Sequence, residues 1–217
     1  MATSSRDVVL RKIRAAKGGA SSADAVQAGW SGIRRGYQRT ATRERGEILD
    51  LLVDRLHDYD AQVLRVERDE VQESVARMLT ARGVRRMVIP AGMAAENLPG
   101  GFEFVEDKGF SAAELDGFDG VVTESTLAIA ETGTVVLQNA PGQGRRAVSL
   151  VPDYHLCLVD SARVVETVPE AMKRLQVTAD LATTFFSGPS ATADIEMTRI
   201  KGVHGPRFLD VILIAAD

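Results

Sequence analysis

The sequence holds a single cysteine, Cys157, among its 217 residues. An internal disulfide framework is therefore excluded, and a lone thiol between the apolar neighbours of "YHLCLVD" is expected to be a small buried hydrophobe in a reducing compartment. One Trp and three Tyr offer little for stacking on bases, and 26 Lys and Arg against 30 Asp and Glu leave a net charge of -4, so no nucleic-acid partner is expected. No apolar run reaches the ~20 residues that span a bilayer, and the N-terminus lacks the apolar core of a signal peptide. The expected location is cytoplasmic. The histidines, His57, His155 and His204, stand apart without metal-ligand spacing, and no metal site is expected.

What is present reads as an ordinary globular chain, 45% apolar and 26% charged, of a length suited to one α/β domain. Residues 1–42 are rich in Ala, Gly, Ser and Arg and are expected to form an N-terminal helical arm, helical through "DVVLRKIRAA" and loose at "KGGASSADA". The domain is expected over 43–217. Ile48, Leu51, Leu52 and Leu56 recur at spacings of three and four, which predicts a helix over 43–59 with one apolar face. Beyond it, apolar runs of strand type alternate with helical ones: "AQVLRVE", a helix in "EVQESVARMLTARG" stopped by Gly83, "RRMVIP", "FEFVE", "GVVTE", "TVVLQ", "HLCLVD", a helix near "PEAMKRLQVTADLA", "TTFFS" and "LDVILIA". That alternation predicts an α/β fold, a Rossmann-like and mostly parallel sheet with flanking helices.

Three stretches offer chemistry. In "LAIAETGTVVL" the pattern predicts a hairpin whose turn uses Gly133 at positive φ. The turn also sets backbone N–H groups beside the hydroxyls of Thr132 and Thr134, a polar cradle for a carboxylate or phosphate, with Glu131 as base, nucleophile or orienting acceptor. In "FFSGPSATADIE" a strand is expected to turn at Gly188 and Pro189 into a helix capped by Ser190 or Thr192, with Asp194 in its first turn. His204 follows in "KGVHGP" and is the histidine placed to serve as acid or base. The third stretch, "PGQGRRA", matches a dinucleotide fingerprint only formally, because Pro152 leaves no room for the long helix that the fingerprint needs. No NAD site is expected; Arg145 stays a candidate fork for a carboxylate.

"AIAETGTVVL", then "SGPSATADIE", then "GVHGPRFLDVILI" together resemble the LUD-domain proteins of the lactate-utilisation protein C, or YkgG, group, over about residue 43 to the C-terminus. The resemblance implies a fold similar to glucosamine-phosphate deaminase, ribose-phosphate isomerase and CoA-transferases. It also implies a three-component system oxidising L-lactate to pyruvate, whose partner subunits carry cysteine-ligated iron–sulfur clusters. With one cysteine, this chain is expected to be the component without a cluster and to bind no cofactor alone. The expected site is a pocket for a small carboxylate or phosphate, with Glu131, Asp194 and His204 in catalytic roles and Thr132, Gly133, Thr134, Arg145, Gly188, Ser190 and Thr192 holding the ligand. Two alternatives stay open: a stand-alone isomerase or CoA-transferase using Glu131 on a sugar phosphate or acyl-CoA, and a non-catalytic ligand-binding regulatory module.

Overall fold

Two periodicities, about 3.6 for helix faces and two for strand faces, translate into alternating elements along the chain. A computed structural model describes residues 4–18, 22–193, 199–202 and 204–216. The chain divides into two compact units, Met1–Tyr37 and Gln38–Asp217. The first holds helices α1 (Ser5–Ala16) and α2 (Ala23–Gly32). Ser4 and Ser22 cap them by accepting from the backbone N–H of Asp7 and Ala25, at 3.3 and 3.1 Å. Neither helix buries a residue.

The second unit runs α3 (Arg45–Asp58), β1 (Gln62–Val66), α4 (Val71–Arg82), β2 (Arg86–Ile89), β3 (Glu103–Glu106), α5 (Ala112–Leu115), β4 (Gly120–Glu124), β5 (Leu127–Ile129) and β6 (Thr134–Gln138). It continues with α6 (Arg146–Leu150), β7 (Tyr154–Asp160), β8 (Val164–Val165), α7 (Val168–Leu175), β9 (Thr183–Phe186), β10 (Ala191–Ala193), β11 (Arg199–Lys201) and β12 (Phe208–Ile214). Gly83 ends α4 at φ 69, a left-handed conformation that costs glycine no Cβ clash.

Six strands in the order β1-β12-β7-β4-β2-β3 form a wholly parallel sheet. The expectation of a parallel α/β sheet flanked by helices is met. Its central strands are buried on both faces, which explains their unbroken apolar runs. On one face Cys157, Val159, Val211 and Leu213 meet Ile48, Leu52 and Leu56 of α3 and residues of a second sheet. On the other, Leu156, Leu158 and Ile212 meet Val75, Met78 and Leu79 of α4. The second sheet has the order β8-β5-β6-β9, with β6 antiparallel to both neighbours.

Three expectations change. The hairpin at "LAIAETGTVVL" forms, but in the second sheet rather than among the parallel strands. The helix expected after Ser190 is absent from the residues described there: β10 and β11 pair antiparallel, Thr192 opposite Ile200, and the ladder extends through Gly202 N donating to Ser190 O at 2.9 Å. The helix near 169–182 ends at Leu175 and gives way to a 3-10 turn, Gln176–Thr178, where β-branched Val177 and Thr178 are poor helix formers and the Thr178 hydroxyl donates to Gln138 Oε1 at 2.8 Å.

Candidate functional site

The β5–β6 turn is fixed from three sides. Ala130 N and Glu131 N donate to Val165 O and Glu166 O at 2.9 and 3.1 Å, and Gly133 N closes the turn onto Ala130 O at 3.2 Å. Gly133 has the expected positive φ, 55. A Cβ there would stand 2.8 Å from Arg55 Cβ, so the glycine also admits the end of α3. Gly188, at φ 87, does the same for the next turn of the chain, where a Cβ would meet Tyr59 Cβ at 2.4 Å. The two motif glycines therefore seat the end of α3 and the residue that follows it.

The motif hydroxyls engage one another. Thr134 Oγ1 lies 2.7 Å from Thr132 Oγ1 and 2.7 Å from Ser187 Oγ, so the two motifs do come together. Glu131 is exposed at this turn. Ser190 belongs to a different cluster, where its hydroxyl accepts from His204 N at 3.1 Å. His204 borders a depression of about 530 Å³ with Arg207 and Asp153, which form a forked ion pair at 2.5–2.8 Å. That Arg207 fork holds Asp153 below the usual carboxylate range. These residues immediately precede β12 and β7, so the depression lies at the amino ends of the parallel strands. Among the described residues no hydrogen bond joins Glu131 to Ser190 or His204. Thr192 sits on β10, and Asp194 lies outside the described residues. Arg145 is already engaged: its Nε and Nη2 donate to Asp107 at 2.7 and 2.9 Å, and Nη2 also donates to Phe110 O at 2.5 Å.

The other end of the sheet holds a crevice of about 450 Å³ over the carboxyl ends of β4, β7 and β12, bordered by Glu124, Ser125, Asp160 and Ile214, with Arg68 and Asp69 of the segment after β1. Beside it the chain leaves β2 towards β3, but leaves β4, through the second sheet, towards β7. Connections that diverge in this way open the position where parallel α/β sheets bind ligands. "PGQG" covers this end: Gly142 N donates to Ala91 O at 2.9 Å and Glu124 N to Gly142 O at 2.8 Å. Gly142, at φ 75, leaves only enough room for Glu124, because a Cβ would lie 2.7 Å from Glu124 Oε2. Gln143 Oε1 anchors the loop by accepting from Thr126 Oγ1 and Gln138 N, both at 2.7 Å. The glycines that resemble a phosphate cradle serve close packing.

Three buried polar groups went unread in the sequence. Glu166, fully buried, accepts from Thr42 N at 2.7 Å, Arg43 N at 3.0 Å, Gln38 Nε2 at 3.2 Å and the Arg43 guanidinium. Burial raises its pKa, but these donors prevail and hold it down to about 2. His155 lies between the two sheets, Nε2 at 2.8 Å from Thr123 Oγ1 and its ring edge-on to Phe186; burial pushes it down to about 3, so it is neutral. Asp210 accepts from Tyr154 Oη at 2.9 Å and from the Arg82 fork at 2.6 and 3.0 Å. Only a carboxylate or imidazole at a strand's end or middle marked them, and that signal says nothing of partners distant in sequence.

The model of the LUD domain matches residues 105–214. A Deinococcus radiodurans protein named Lactate utilization protein C is 41% identical over 181 residues, 82% of this chain and 84% of that one. One of the same name from Oceanobacillus iheyensis is 25% identical over 239 residues, 99% of this chain and all of that one. The crystal structure of a DUF162 family protein from Deinococcus radiodurans superposes with a TM-score of 0.70 at 37% identity, over 80% of this chain and 99% of that one. Likeness of sequence along most of both chains, together with the shared fold, places this chain in the LUD domain family.

Proposed function

We propose that the chain serves lactate utilisation as the component without an iron–sulfur cluster, in a three-component system whose other subunits carry the clusters and take up the electrons released as L-lactate becomes pyruvate. The observation that carries this reading is the 41% identity, along 82% of the chain, to a relative named Lactate utilization protein C. Its chemistry agrees with that division of labour. Cluster ligation uses several thiolates, whereas the sole thiol here, Cys157, is buried and pushed up to about 12. Within this reading the small hydroxy acid binds near the two motifs, on the side of Ser190 and His204, where the Arg207 fork to Asp153 would have to open for its guanidinium to take a carboxylate.

Deleting the gene in its native host should abolish growth on L-lactate and leave growth on glucose intact. A tagged copy should restore growth and bring down cysteine-rich proteins whose lactate-dependent dye reduction disappears when the tagged chain is removed. Undiminished growth of the deletion strain on L-lactate would overturn the reading.

A further inference from the structure

The crevice at the carboxyl ends of β4, β7 and β12 lies at the opposite end of the parallel sheet from His204, and nothing in the lactate reading uses it. We propose that it binds a neutral polyhydroxylated ligand, a sugar or the ribose of a nucleoside, through the carboxylate of Glu124 and the hydroxyl of Ser125. Ser125 borders the crevice at 5% exposure, and its Oγ has no hydrogen-bond partner. Buried hydroxyls are normally paired, so an orphan beside a cavity signals a partner that arrives from outside.

Glu124 supplies the acceptors. Among the described residues no hydrogen bond or ion pair engages its carboxylate, whereas Asp160 is occupied by Ala162 N at 2.9 Å and by Arg68 at 3.6 Å. Contact with Gly142 restricts Glu124, and its backbone is pinned by the bond from its N–H to Gly142 O, so the carboxylate is held before any ligand arrives. Two carboxylate oxygens match two vicinal hydroxyls, each donating one proton. This is also how an acid at a strand's carboxyl end reads a ribose.

Charge and size select against lactate here. The lining carries four carboxylates and two guanidinium groups, so a second anion is repelled while a neutral donor of hydrogen bonds is welcome. A three-carbon acid would leave most of the 450 Å³ empty. A metal ion is disfavoured as occupant, since among the described residues no group of three or more His, Cys, Asp or Glu is arranged to hold one.

The inference is independent of the lactate reading: a chain that binds no polyol can still support growth on lactate, and the converse holds. Calorimetric titration of the full chain with D-ribose, D-glucose and adenosine, and separately with L-lactate, tests it. At least one polyol should bind one-to-one, about tenfold weaker in Glu124→Gln and several-fold weaker in Ser125→Ala, with L-lactate unable to displace it. D-Ribose and adenosine binding alike would assign the site to the sugar; adenosine alone would assign it to a nucleoside. Ser125→Ala removes one oxygen and keeps the test open if the Gln variant does not fold. No binding by any polyol at millimolar concentration, undiminished binding in both variants, or displacement by L-lactate overturns the proposal.

Discussion

Gly133 lies against Arg55 so closely that an added methyl would come within 2.8 Å of its Cβ and 2.9 Å of its carbonyl carbon. The backbone of α3 cannot retreat from that contact, because Leu52 and Leu56 on the same helix are fully buried in the core. Gly133→Ala therefore adds a clash to the strain of an L side chain at φ 55. Chemical denaturation should show a loss of about 2 kcal/mol or more. A variant as stable as the parent would mean that the turn yields where the packing says it cannot.

Glu166 ties down the segment ahead of α3, and its low pKa makes that tie dependent on acidity. Its folded value, about 2, lies below the ordinary 4.5, so its contribution is complete above about pH 4.5 and fades as the pH falls towards 2. Glu166→Gln keeps the shape but loses the charge facing Arg43, at a cost of about 3 kcal/mol at neutral pH. Its stability should converge on the parent's as both are acidified. A gap that stays constant from about pH 7 to about pH 2.5 would remove the carboxylate as the cause.

Arg145 was a plausible substrate fork by sequence and is held by Asp107 in the structure. Arg145→Lys cannot reproduce the two parallel bonds or the reach to Phe110 O, and should cost about 1–3 kcal/mol. A double-mutant cycle with Asp107→Asn should show coupling between the two. Full stability in the Lys variant, with lactate-dependent turnover lost, would return Arg145 to the substrate.

Cys157 is 0% exposed, and burial raises its thiol to about 12, so at about pH 8 almost no thiolate exists to react. A disulfide reagent should label the native chain only at the rate at which it opens, and promptly in denaturant. Immediate labelling of native protein would contradict that burial.

The strands and helices were legible because buried parallel strands must be continuous and apolar, as "HLCLVD" and "LDVILIA" are, and because Gly83 is a clear stop. The hairpin at Gly133 was legible for the same local reason. Assignment of that hairpin to a second sheet was not, because its edges meet β8 and β9, and pairing over such separations leaves no local mark. Glycine has a second reading at each of three positions: Gly133, Gly142 and Gly188 resemble ligand cradles, and each is also where a neighbouring residue, Arg55, Glu124 or Tyr59, comes too near for a side chain. Glu124 and Ser125 ended an unremarkable strand, and only the strand order reveals that this end lies over the crevice.

The tie between Glu166 and Thr42 spans 124 residues of sequence. During synthesis the chain emerges from its N-terminus, so the stretch from Gln38 to Arg43 is made early and has no carboxylate to receive it until residue 166 leaves the ribosome. Its anchoring is among the late events of assembly, and until then the nascent chain presents this stretch, with its exposed arginines, to proteases and chaperones.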